Sequence, residues 1–137
     1  MESDSHPIQW IPTLSVGVAE IDAQHRALVD HFNAILADVD AGRLDVLGGR
    51  LAALGHKTAT HFQFEESCFD RLDEASRKAH GAEHRRLLEE FGNLVADWES
   101  ERLTTRELVH FIARWLMRHI AAVDIPTFRS LTAAATS

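Results

Sequence analysis

Residues 47–72 read LGGRLAALGHKTATHFQFEESCFDRL, and the spacing inside this stretch decides the fold. Leu47, Leu51, Leu54, Thr58, His61, Glu65, Cys68 and Leu72 recur at alternating steps of three and four. That is the period of one helix face, and it predicts an amphipathic α-helix over about Leu44–Leu72. Two positions of the stripe are ionisable: His61 and Glu65 stand where a bundle core asks for apolar side chains.

Three more segments keep the same rhythm. About Ala19–Ala41 gives Ile21, His25, Leu28, Phe32, Ile35 and Val39, and Gly42 stops it. About Ser76–Trp98 gives His80, His84, Leu87, Phe91, Leu94 and Trp98, and about Thr104–Ile125 gives Leu108, Ile112, Trp115 and His119. Pro126 is expected to end or bend this last helix. The connections are short, so consecutive helices lie antiparallel. The expected architecture is all-α, an up-down-up-down four-helix bundle in a single domain over 1–137. An irregular N-terminal arm (1–18) carrying Trp10, Pro12 and Gly17 precedes the bundle (about 19–125). A C-terminal tail (126–137) follows it, with Ala133–Ser137 frayed.

Composition bounds the function. A chain of 137 residues with 45% hydrophobic content has room for one core. Its net charge of -7, from 14 basic and 21 acidic residues, offers no cationic surface for nucleic acid. No stretch approaches the roughly 20 apolar residues of a membrane span, so no membrane insertion is expected. The start, MESDSHPIQW, lacks a basic segment followed by an apolar run, and the reading is a cytoplasmic protein. Cys68 stands alone and cannot form an internal disulfide; tyrosine is absent, which removes a tyrosyl-radical mechanism.

The polar members of the stripes are His25, His61, Glu65, His80, His84, His119 and Asp124. Burying so many without partners costs several kcal/mol each, so a metal centre is expected between them. His61 with Glu65, and His80 with His84, are four apart and project one turn apart from a single face. Asp124 fits worse, because five residues past His119 is about 140° round an ideal helix. The expectation is a local π-type widening, or a helix end near Pro126, that turns Asp124 inward. His6, His31, His56 and His110 fall off the ligand faces.

Imidazole with carboxylate suits iron, manganese, zinc or copper. Seven residues exceed the needs of one ion. Two six-coordinate ions sharing a bridge have roughly twelve positions. Five histidines, two bridging carboxylates and a bridging oxide or hydroxide leave one of them open for a small molecule.

The motifs now assembled are Ser15-Val16-Gly17-Val18 with Ile21-Asp22-x-Gln24-His25, then His61-Phe62-x-x-Glu65-Glu66, His80-x-x-x-His84, and Trp115-Leu116-x-x-His119-Ile120-x-x-x-Asp124. In this order and spacing the chain resembles the hemerythrin family, in its single-domain bacterial form, the bacteriohemerythrins. The resemblance implies two iron ions with a bridging oxide or hydroxide, one held by His80, His84 and His119 and the other by His25 and His61. Glu65 and Asp124 would bridge, and dioxygen would bind reversibly at the His25/His61 iron. It further implies oxygen storage, delivery or buffering rather than catalysis, while the sequence leaves weak peroxidase-like turnover open. Ile21, Phe62, Trp115, Leu116 and Ile120 lie beside ligands and are expected to form a dry oxygen pocket. Gln24 and Asp22 are expected to support ligands from behind.

The chain departs from the family pattern at Ser67-Cys68-Phe69 and at Lys57, where relatives commonly carry apolar or aromatic residues. Two other functions compete. An oxygen, redox or nitric oxide sensor would ordinarily carry a fused output domain. A di-iron enzyme of the ferritin-like kind would carry two Glu-x-x-His motifs, whereas Glu107-x-x-His110 is the single match here and lies off the ligand face.

Overall fold

The structure, a computed structural model, describes residues 6–69 and 72–129. Four helices form the bundle: α1 (Ala19–Asp40), α2 (Leu47–Ser67), α3 (Glu74–Glu99) and α4 (Thr105–Met117), the last running on into a π-helical segment, Arg118–Asp124. Each packs on the next, and α4 returns to α1, which closes the ring. The all-α four-helix bundle expected from the periodicity is the fold.

Local chemistry sets the ends. Gly42 adopts φ 77° past α1, a conformation that lacks steric cost only for glycine. Asp73 caps α3 by accepting from the Ser76 backbone N–H at 2.7 Å, so that helix starts two residues earlier than the apolar stripe suggests. Thr104 and Glu107 form a reciprocal capping box on α4. The second helix stops at Ser67 rather than reaching Leu72. Cys68 N–H bonds back to Glu65 and Glu66 carbonyls in a tightened last turn, and Phe69 folds inward.

The arm is packed, as its apolar residues suggest. Leu14 and Val16 are buried, Asn33 exchanges two hydrogen bonds with the Ile8 backbone, and the Arg26 guanidinium lies 5.2 Å above the Trp10 ring. At the other terminus, residues 125–129 remain helical past Pro126, and Phe128 is buried. The boundary expected at 126 is therefore too early. The turn just before the proline is widened, with the Ile125 N–H bonding five residues back to the Ile120 carbonyl, which is where a proline ring would crowd a regular α-helix. The expected frayed tail lies outside the described residues.

Two apolar clusters flank the polar stripe. The larger contains Leu28, Phe32, Ile35, Leu54, Leu87, Leu108 and Ile112. The smaller, of Val16, Ile21, Phe69 and Phe128, joins the arm to the ends of α2 and of the fourth helical run. Antiparallel order brings the start of α1, the end of α2, the start of α3 and the π segment to one end of the bundle, which is where the ionisable residues stand.

Candidate metal centre

All seven polar stripe residues are buried together. α1 supplies His25, α2 supplies His61 and Glu65, α3 supplies His80 and His84, and the π segment supplies His119 and Asp124. Their donor atoms form two groups that share both carboxylates: His25, His61, His119, Glu65 and Asp124, and His80, His84, Glu65 and Asp124. Within each group the atoms lie within 4.8 Å of one another.

Asp124 Oδ2 lies 2.7 Å from the Nε2 of both His25 and His119, and its Oδ1 lies 3.3 Å from His80 Nε2. Glu65 Oε2 is 3.2 Å from His61 Nε2, while Oε1 is 2.9 Å from His84 Nε2 and 3.5 Å from His119 Nε2. Asp124 thus turns one oxygen to each group, and Glu65 does likewise except that its Oε1 also faces His119. His61 and His119 point their Nε2 atoms at each other, 3.3 Å apart.

Distance alone does not satisfy these groups. Both Glu65 oxygens, Asp124 Oδ1, and Nε2 of His80 and His84 are buried without a hydrogen bond, because their lone pairs converge on common space instead of on each other. That is the arrangement a cation completes and a hydrogen-bond network does not. The ionisation of the metal-free cluster says the same. Burial pushes Glu65 up to about 12, reinforced by Asp124 beside it. Burial works to raise Asp124 as well, but His119, Glu65 and His25 outweigh it and hold that carboxyl well below its ordinary range. Burial lowers His61 to about 4 and His84 to about 3, and lowers His119 too. Neutral imidazoles with free Nε2 lone pairs are the form that ligates metal.

Groups behind the donors fix their rings. His61 Nδ1–H donates to Gln24 Oε1 at 2.7 Å, which leaves its Nε2 as the acceptor nitrogen. Gln24 thus does what the sequence led us to expect, whereas Asp22 does not: it accepts from Ser15 Oγ at 2.5 Å and from the Val16 backbone N–H at 2.8 Å and pins the arm. Three further contacts were not anticipated. Thr127 Oγ1 lies 3.3 Å from His80 Nδ1, Glu66 Oε2 lies 3.5 Å from His84 Nδ1, and the Phe69 ring packs 4.6 Å from that of His80. Thr127 is eight residues beyond His119, and only the π segment rotates it into register.

The expected pocket residues are all buried, but they divide. Phe62 stacks on His84 at 3.9 Å with rings 3° from parallel, and it meets His119 at 4.7 Å. Phe62, Trp115, Leu116 and Ile120 belong to the larger apolar cluster, Ile21 to the smaller. Trp115 turns away, its Nε1–H donating to the Leu87 carbonyl at 2.8 Å. His31 binds the Arg50 carbonyl, and His6, His56 and His110 are exposed, so the four histidines set aside are off the centre. Cys68 is half-buried with Sγ on the Phe64 carbonyl.

Fold and donors together define a helical bundle with a buried site for cations. Residues 16–124 match the family described as the hemerythrin HHE cation binding domain, and the chain belongs to the hemerythrin family. It is similar to the bacteriohemerythrin of Stenotrophomonas maltophilia (strain R551-3), 28% identical over 84% of this chain and 75% of that protein. It is also similar to the bacteriohemerythrin of Ralstonia nicotianae (strain ATCC BAA-1114 / GMI1000), 29% identical over 85% of this chain and 83% of the relative. A hemerythrin-like protein of Naegleria gruberi is 26% identical over 87% and 89%. No helix of the described residues is long and apolar enough to cross a membrane.

Proposed function

We propose that this chain holds two iron ions joined by an oxide or hydroxide and binds dioxygen reversibly, as a store, carrier or buffer of oxygen rather than as an enzyme. The observation that carries the reading is the set of buried, unpaired donor atoms in two groups sharing Glu65 and Asp124. Shared carboxylates imply two ions, and imidazole with carboxylate suits iron.

In this reading His80, His84 and His119 hold one ion, His25 and His61 the other, with Glu65 and Asp124 bridging. His119 Nε2 is nearer to the His25 and His61 group, yet it also faces Glu65 Oε1, the oxygen opposite His84. When bound, a ferrous pair supplies the two electrons that dioxygen accepts and returns. Burial holds His61, His84 and His119 neutral, Gln24 orients His61, and Phe62, Leu116 and Ile120 keep water from the centre. Absence of tyrosine removes one internal reductant.

The test is a cycle. The iron-loaded chain is reduced without oxygen, exposed to air and then purged with argon while its visible absorption is followed. Absorption that appears with air and disappears on purging, over repeated cycles, supports reversible binding. One-way conversion to a ferric product overturns it and favours a sensor or a di-iron enzyme.

A further inference from the structure

Away from the metal centre, α4 turns an uncovered face to solvent. Arg106, His110, Arg114 and Arg118 recur at every fourth residue and are all exposed, so they form one row along the helix. The acidic residue in that row's vicinity on α4, Glu107, is engaged at the Thr104 backbone N–H. Across the groove on α3, Glu90 is shared between Arg118, at 2.7 Å, and Arg86, at 3.3 Å. Arg114 has no hydrogen bond or ion pair among the described residues. In a chain of net charge -7, this row is a local reversal of sign.

Beside the row an open groove of about 660 Å³ runs between α3 and the fourth helical run. Leu94, Phe111, Trp115, Met117, Ala121 and Ala122 give it apolar walls. Phe111 is 38% exposed, the aromatic among the exposed large hydrophobic side chains of the described residues. Arginine around an exposed aromatic is the composition of a protein-binding hot spot.

We propose that this face docks an acidic surface of another protein. Carboxylates of the partner pair with Arg114 and its neighbours in the row, and an apolar side chain enters the groove against Phe111. Charge complementarity selects a protein over a membrane or nucleic acid, because the negative charge of the rest of the chain repels an extended polyanion while a single row suits a compact acidic patch. The groove reaches Ala121 and Ala122, which belong to the π segment holding His119 and Asp124, so the partner sits beside the metal ligands. The inference does not depend on iron or on dioxygen.

The probe is a synthetic amphipathic helical peptide with glutamate on one face and leucine on the other, titrated calorimetrically into the metal-loaded full chain at low salt. Hydrogen exchange of the complex maps the contact. Saturable binding that weakens with added salt, slows exchange over residues 106–122, and falls about tenfold in both Arg114→Glu and Phe111→Ser is expected. Both variants should keep the parent's helix content and metal stoichiometry. Absence of binding, protection on another face, or equal binding of a lysine-for-glutamate peptide overturns the proposal. So does binding to phosphatidylglycerol vesicles without binding to the peptide, or a concentration-dependent dimer that covers residues 106–122 by itself.

Discussion

Asp124 Oδ2 lies 2.7 Å from His119 Nε2, although the two residues are five apart in one continuous helical run. In an α-helix that separation would set the side chains about 140° apart. The π segment Arg118–Asp124 adds the residue that brings both onto one face, and it simultaneously rotates Thr127 toward His80. The unusual backbone is thus what allows two donors five residues apart to meet at the centre, where α2 and α3 use pairs four apart.

Moving the carboxylate by one position tests this directly. In a Val123→Asp, Asp124→Ala double variant the carboxylate sits four residues after His119, the right offset for an α-helix and the wrong one for the π segment. Metal analysis should give two ions per chain for the parent and at most about one for the variant, a loss in line with removing a shared ligand. Full occupancy of the variant would show that the widened turn is dispensable.

His61→Ala should abolish the oxygen-dependent absorption, since it removes an inward Nε2 that faces Glu65 at 3.2 Å. His110→Ala, at an exposed position, should leave spectrum and iron content unchanged. Equal effects from both changes would contradict the assignment of ligand faces.

Gln24→Leu removes the acceptor of the His61 Nδ1–H without adding charge. Metal affinity measured by chelator competition should weaken by about 10- to 100-fold, the usual consequence of losing a group that orients a ligand. Gln24→Glu, which keeps an acceptor oxygen, should recover most of it.

The metal-free chain should be most stable near neutral pH. His61 and His84 have folded-state values of about 4 and about 3, below the 6.5 of the unfolded chain, so the unfolded state takes up protons that the fold refuses as pH drops below 6.5. Stability falls in that window, with Glu65 opposing part of the effect. Above neutrality Glu65 still holds a proton that the unfolded chain has lost since about 4.5, so stability declines again as pH rises. Urea midpoints taken from pH 4 to pH 9, with chelator present, would read both limbs. A midpoint that climbs from pH 7 to pH 9 would contradict the protonated state of Glu65, and metal loading should remove the alkaline limb.

Gly92→Ala should stabilise the chain by about 0.5–1 kcal/mol, because an added Cβ there meets nothing within 4 Å and α3 gains a better helix former. Gly55→Ala should gain less or lose, since its Cβ would stand 3.1 Å from the Phe91 ring. Thermal unfolding of the two variants side by side distinguishes free space from contact.

The sequence by itself determined the bundle and the composition of the centre. Steps of three and four place Leu28, Leu51 and Leu87 on buried faces, and the same arithmetic puts His25, His61, Glu65, His80, His84 and His119 on those faces too, because helical period is a local property of the chain. Asp124 was legible only as an exception to that period. The tertiary structure decided everything that depends on pairing between distant segments or on backbone departures from the ideal. It shows which oxygen faces which imidazole, Thr127 and Phe69 behind His80, Asp22 serving the arm instead of a ligand, and the helix that persists past Pro126. Periodicity reports which side of a helix faces inward, but the rotation of one helix against another, and the extra residue of a π turn, are settled only when the whole core is packed.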